Sequence, residues 1–295
     1  MRLAALAFSF LLLGGCGAIS GPSITTTAPN GASERIPART YKPEGSGTFP
    51  AVVVMHDCSG LGPKSSGAPA RWANELVGRG YVVLVPDSFT TRGHAGGVCT
   101  DASPSRAEVG PARRLRDAYA ALAHLRTLPY VDPRRVGLMG GSHGGSTTLA
   151  SMVESQRDAG PLAREKREGF VAAVALYPGC ARRLGDWRAD STGVYKPVAP
   201  VLILIGEKDD WTPAEPCRKL AEAAQNAGHP VAIKIYPGAH HSFDNGNPTR
   251  YVATRVNANS PGGLGATTGG NAEAWADSIR EVLAFFGRHL ARTDR

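Results

Sequence analysis

The chain has 295 residues, 42% of them hydrophobic and 20% charged, with 33 Lys and Arg against 25 Asp and Glu. This balance supplies one sizeable core and excludes a disordered or low-complexity chain. The net charge of +8 is scattered, as in Arg113-Arg114-Leu115-Arg116 and Arg164-Glu165-Lys166-Arg167. With no nucleic-acid motif beside it, that excess reads as a solvated surface with attraction for anionic lipid or acidic substrates, and no nucleic-acid partner is expected.

The first element is a targeting signal. Met1-Arg2 is followed by an apolar run over Leu3 to Leu13, eleven residues long, too short for a membrane span, which needs about 20. The run ends Leu13-Gly14-Gly15-Cys16, which is similar to a bacterial lipobox. Residues 1–15 are then a lipoprotein signal peptide, and Cys16 is the lipidated first residue of an exported, membrane-anchored chain; a plain secretory signal cleaved nearby is the alternative. Gly17 stands where an aspartate would favour the inner membrane, so the periplasmic side of the outer membrane is the expected location. Residues 16–32, rich in Ser, Thr, Gly and Pro, suit a flexible tether, and the folded domain is expected over 33–295.

From there apolar runs predict strands over 51–55, 81–85, 136–139, 171–176, 201–205 and 231–236. Amphipathic spacing predicts helices over 69–78, 106–127, 214–227 and 272–290. Strand and helix alternate, which predicts a single α/β domain on a parallel sheet, without repeats or heptads.

The strand at 136–139 runs into Gly140-Gly141-Ser142-His143-Gly144, the form of a nucleophile elbow, in which glycines two before and two after relieve crowding around a strained serine. Gly is 36 of 295 residues, so the motif alone is weak and its context must support it. Val201-Leu-Ile-Leu-Ile205 ends in Gly206-Glu-Lys-Asp209-Asp210-Trp-Thr-Pro213, and the 231–236 strand ends in Pro237-Gly-Ala-His240-His241-Ser242-Phe243. An acid, Asp209 or Asp210, and a base, His240 or His241, therefore follow the serine in the chain order of such hydrolases.

These motifs, with Val54-Met-His56-Asp57-Cys58-Ser-Gly60 and Gly80-Tyr81-Val-Val-Leu-Val-Pro86-Asp87, make the chain from 33 to 295 resemble the dienelactone hydrolase family. The resemblance implies an α/β-hydrolase fold: a mostly parallel eight-stranded sheet with helices on both faces. It selects Asp209 over Asp210 and His241 over His240, and implies that Ser142 attacks an acyl carbonyl, His241 shuttles the proton and Asp209 orients the imidazole. It places oxyanion donors at the backbone N–H groups of Cys58 and His143, with His56 beneath that loop. No cofactor is implied. The family's proper members use a nucleophilic cysteine and hold a substrate carboxylate with arginines. Here Ser142 replaces the cysteine and Arg92 is only a loose match, so an ordinary small-molecule carboxylic ester or lactone is the expected substrate.

Export favours disulfides among the remaining cysteines. The implied fold sets the loops of Cys58 and Cys99 side by side, and those of Cys180 and Cys217 likewise, which predicts those two pairings. The polar stretch 242–271 is expected to line or cover the acyl pocket, with Phe89, Trp187 and Trp211 as nearby aromatic surface. No H-E-x-x-H or C-x-x-C spacing occurs, so no metal is expected. The rival readings are a binding or scaffold lipoprotein that keeps the fold, and an acyltransferase or peptidase that keeps the Ser-Asp-His set.

Overall fold

The computed structural model describes residues 21–154 and 161–291; the expected signal peptide and Cys16 lie outside them. Six strands form the parallel part of the sheet: β3 (Phe49–Met55), β4 (Val82–Pro86), β5 (Val131–Gly141), β6 (Ala173–Leu176), β7 (Val201–Gly206) and β8 (Val231–Tyr236). Successive side chains of a strand point to opposite faces. Every residue of β4, β6 and β7 and all of 51–55 in β3 are buried, so helices cover both faces, as parallel sheets require.

Two further strands, β1 (Ser23–Thr27) and β2 (Ser33–Tyr41), complete an eight-stranded sheet of order β1-β2-β4-β3-β5-β6-β7-β8. β1 pairs antiparallel with β2, and β2 antiparallel with β4. The expected tether is thereby corrected: the folded domain begins ahead of Ser33. In the polar run Ser-Ile-Thr-Thr-Thr only Ile24 and Thr26 turn inward, and the Thr26 hydroxyl donates to Asp117 Oδ1 at 3.0 Å.

The helices are α1 (Ala68–Val77), α2 (Pro111–Thr127), α3 (His143–Met152), α4 (Pro161–Arg167), α5 (Ala214–Asn226) and α6 (Ala272–His289). The single helix expected over 106–127 is two pieces, a 3-10 turn over Pro104–Val109 and then α2. Pro111 has no N–H and a fixed φ, which suits the first residue of a helix and interrupts a continuous one. Trp72 of α1 meets Trp275 of α6 edge to face, with centroids 4.7 Å apart. Among the described residues no helix is long and apolar enough to cross a membrane.

Within 242–271 the chain forms a hairpin, β9 (Arg250–Val256) with β10 (Leu264–Thr268). It is fastened over the end of β7. Trp211 Nε1 donates to the Val256 carbonyl at 2.8 Å, and Asn257 Nδ2 donates to the carbonyls of Asp210 and Gly265 at 3.0 and 2.8 Å.

Candidate active site

The sheet order changes direction at β3, which lies between β4 and β5. The loops leaving the carboxyl ends of β3 and β5 therefore meet at the point where open α/β sheets bind ligands. Ser142 stands there at the N-terminus of α3 with φ 54° and ψ −115°, a strained backbone costing about 1–3 kcal/mol. Its neighbours permit the turn. A Cβ on Gly144 would sit 2.1 Å from the Met55 carbonyl oxygen, and one on Gly140 2.5 Å from the Gly144 backbone.

The other two predicted residues arrive from β7 and β8. His241 Nδ1 donates to Asp209 Oδ2 at 2.7 Å, and His241 Nε2 accepts from Ser142 Oγ at 2.9 Å. All three side chains are buried. Asp209 Oδ1 accepts the backbone N–H groups of Trp211 and Thr212 at 3.0 and 2.8 Å. The Thr212 hydroxyl lies 3.0 Å from Asp209 Oδ2 and 3.0 Å from the Tyr177 carbonyl oxygen. It bridges acid loop and sheet, a role the sequence showed only as a motif letter. Tyr177 and Trp211 flank the His241 ring at 4.8 and 4.7 Å. The alternatives are separated: Asp210 accepts from the Thr267 N–H and hydroxyl at 2.8 and 2.7 Å and anchors the hairpin. His240 Nδ1 has no hydrogen-bond partner among the described residues.

Cys58 and His143 line one cavity with Ser142. His143 opens α3, where an N–H has no intrahelical acceptor, and the Cys58 N–H likewise has no backbone acceptor among the described residues. Beneath them lies Arg114, fully buried, a residue that the sequence reading put on a solvated face. Its Nη2 donates to the His56 carbonyl at 2.8 Å, its Nη1 to His143 Nδ1 at 2.6 Å, and its guanidinium lies 5.0 Å from the Phe89 ring centre. Burial lowers its pKa to about 10, which leaves it charged at neutral pH. Burial first, and then this cation, hold the His56 and His143 rings well below the usual histidine range.

His56 uses both nitrogens. Nδ1 donates to the Asp57 carbonyl at 2.8 Å and Nε2 accepts the Ser88 N–H at 3.2 Å. Protonation would remove that acceptor. Because the folded pKa is depressed, the unfolded chain binds more protons, and stability falls as pH drops through about 6.5, the unfolded value. The melting temperature is therefore expected to fall between pH 7.5 and 5. His56→Gln, whose amide oxygen still accepts from Ser88, starts lower but loses less over that interval. Equal losses in both proteins would contradict this account.

Both expected disulfides are present, Cys58–Cys99 and Cys180–Cys217, with sequence separations of 41 and 37. The first ties the Cys58 loop to a small cluster of Phe89, Val98 and Val109. Replacing Cys58 and Cys99 with serine keeps the Cys58-position N–H but frees its loop. Urea unfolding is expected to show a loss of about 2–4 kcal/mol, with a fall in kcat as well. A stability loss without any change in kcat would mean that the bridge does not hold that N–H in place.

Arg92 is not in the site. Its guanidinium binds Glu34 Oε2 at 2.8 Å and Asp117 Oδ2 at 2.7 Å, with 8% of its side chain exposed, because the chain after β4 turns it toward α2. Phe89 and Trp187 are fully buried packing residues, and Trp187 Nε1 donates to the Cys180 carbonyl at 2.9 Å. Trp211 alone of the three aromatics faces the cavities. Two of these meet at Ser142 and share Cys58 and Trp211: one of about 210 Å³ that includes His143, and one of about 300 Å³ that includes His241. The 242–271 segment contributes Val256 and Asn259 to the first, and Arg255 and Thr268 to the second.

A model of the dienelactone hydrolase family matches residues 36–290. A protein of Methylorubrum extorquens, provisionally named a carboxymethylenebutenolidase, is 27% identical over 218 residues, 70% of this chain and 68% of its own. Among solved structures, one provisionally described as a dienelactone hydrolase of Klebsiella pneumoniae superposes with a TM-score of 0.62 at 19% identity, covering 91% of this chain and 98% of that one. Thermogutta terrifontis esterase 2, solved phosphorylated by paraoxon, gives 0.62 at 18% identity, covering 94% and 98%. At these identities the two structures speak for the fold, which is the α/β-hydrolase fold. With its family match spanning nearly the whole described domain, the chain belongs to the dienelactone hydrolase family, hydrolases of ester and lactone bonds.

Proposed function

We propose that the protein is a serine esterase acting on carboxylic esters or lactones through an acyl-enzyme on Ser142. The observation that carries this reading is the placement of His241 between Ser142 Oγ, at 2.9 Å, and Asp209 Oδ2, at 2.7 Å. Ser142 Oγ attacks the acyl carbon while its proton passes to His241 Nε2. The carbonyl oxygen becomes an oxyanion received by the N–H groups of Cys58 and His143, with the Arg114 charge beneath them favouring it. When the tetrahedral intermediate collapses, His241 gives its proton to the departing alcohol. Water then enters, loses a proton to His241 and releases the acid, restoring Ser142. Asp209 keeps Nδ1 protonated and offsets the charge of the imidazolium.

The Leu13-Gly14-Gly15-Cys16 sequence supports the further reading that the enzyme is exported and held by a lipid on Cys16 at the periplasmic side of the outer membrane. Two disulfides suit such an oxidising compartment.

The test is turnover of p-nitrophenyl esters from acetate to decanoate, with fluorophosphonate labelling located by peptide mapping. Turnover together with label on Ser142 is the expected result. A folded protein that neither turns over any ester nor takes the label would be a binding module.

A further inference from the structure

The two cavities at Ser142 take different halves of an ester. His241 must hand its proton to the departing alcohol, so the cavity that His241 lines, of about 300 Å³, takes the alcohol half. The other, of about 210 Å³ and without His241, takes the acyl half, against Pro111, Ala181, Pro213 and Val256.

The alcohol cavity is built differently. Its apolar walls are Ala68, Trp211 and the Cys58–Cys99 bridge, and the rest is hydroxyl, amide, imidazole and charged groups. Several of these wait for a partner. Among the described residues the Ser242 and Thr268 hydroxyls and the Asn247 amide make no hydrogen bond. The Arg255 guanidinium lies 5.1 Å from the Trp211 ring centre, and its Nε is buried without a hydrogen-bond partner. An alkyl group seated here would strip water from these groups and leave them unpaired, which is unfavourable. A hydroxyl both donates and accepts, so a polyol can take the place of that water at several of them together.

The charges favour a neutral ligand over an anion. Two acids, Asp57 and Asp244, are buried in the walls with two half-buried guanidinium groups, Arg71 and Arg255. Burial lowers the pKa of Arg255, and Asp57 counters that. Burial raises the pKa of Asp244, and its hydrogen bonds from Trp72 and Tyr177, together with the Arg71 charge, counter that. The inner cavity is therefore balanced, and an anion would upset the balance. Lys64 and Arg250 are exposed, so water and salt screen them.

Resting on the esterase reading above, we propose that the alcohol half of the substrate is a neutral polyol of about one sugar ring, so that the enzyme removes acyl groups from sugar hydroxyls. The bond from Ser142 Oγ to the acyl carbon forms, the bond from that carbon to the sugar oxygen breaks, and His241 Nε2 gives its proton to that oxygen. Water then cleaves the acyl-enzyme and releases the acid.

The test compares a methyl glucoside butyrylated on its primary hydroxyl with butyl butyrate, equal in acyl group and both esters of a primary alcohol, by release of butyrate. The expected kcat/KM ratio favours the glucoside by about tenfold or more, chiefly through KM, and does not change with salt because both leaving groups are neutral. Arg255→Met keeps a side chain against Trp211 but no donor. Asn247→Ala/Thr268→Val keeps the backbone bonds of Asn247 to Asn245 and Gly270. In each variant the ratio, which is independent of the amount of folded enzyme, falls toward one. Butyl butyrate turned over at least as well as the glucoside, or neither cleaved, with Ser142 labelled, overturns the polyol and leaves the esterase standing. Faster turnover of butyrylated glycerol phosphate than of the glucoside overturns the neutral class. A preference that survives in both variants overturns the assignment to these side chains. If no ester is cleaved and Ser142 takes no label, the esterase reading falls and this proposal falls with it.

Discussion

Ser142→Ala is expected to lower kcat by about 10⁴-fold or more, with little change in stability. The reaction loses the atom that forms the acyl-enzyme, and water has no equivalent place from which to attack. What survives is binding together with the N–H groups of Cys58 and His143, which the substitution leaves in position. The fold should tolerate the change because alanine occupies φ 54° at a strain similar to that of serine, and the backbone N–H still bonds the Leu176 carbonyl at 2.9 Å. The Ser142 hydroxyl has His241 as its hydrogen-bond partner, so removing it orphans only a ring nitrogen beside an open cavity. Single-turnover and steady-state assays on the ester that the parent cleaves best, beside thermal melts, measure both quantities. Activity above about a hundredth of the parent's would mean that another group attacks the carbonyl.

Most of the sheet was legible because its parallel strands are unbroken apolar runs, such as Val201-Leu-Ile-Leu-Ile205, whose burial on both faces follows from composition alone. β1 was not legible. Ser23-Ile-Thr-Thr-Thr27 carries one large apolar side chain, and it is a strand because β2 offers an edge with register Ile24↔Ile36, a fact that lies in neither segment separately. The β9 and β10 hairpin was hidden for the same reason. Its alternation is weak, and what fixes it is the far end of β7, through Trp211, Asp210 and Asn257.

At the site, Ser142 was legible because backbone geometry demands its neighbours, the glycines of the elbow; position after β7 and β8 narrowed the acid to Asp209 or Asp210 and the base to His240 or His241, and the family resemblance chose between them. The cations were not. Arg92 sits at the right height along the chain, after β4, yet the side chains that capture it are Glu34 and Asp117, 58 residues before it and 25 after it. Arg114 reads as one charge in a basic run on an exposed helix, and only the packing of α2 beneath the His56 to Cys58 loop and α3 puts it inside. Where a long flexible cation ends depends on distant partners, whereas a residue fixed by a turn carries its own signature.

Asp209→Asn gives the second large effect, a fall in kcat of about 10³–10⁴-fold with KM little changed. Two backbone donors, the N–H groups of Trp211 and Thr212, converge on Oδ1. In the variant they hold the amide oxygen at that position, so the amide nitrogen must face His241 Nδ1. An NH₂ group cannot accept, and Nδ1 must therefore become the acceptor. The proton then sits on Nε2, pointing at Ser142 Oγ, and the base can no longer take the serine proton. The imidazolium formed during attack also loses its counter-charge. Because serine and histidine act as one unit, Ser142→Ala/Asp209→Asn should be scarcely slower than Ser142→Ala alone. Asp210→Asn is the control next door: it weakens the contact with Thr267 that anchors the hairpin and should cost less than about tenfold. A reversal of that order, with Asp210→Asn the more damaging, would transfer the acid's role to Asp210.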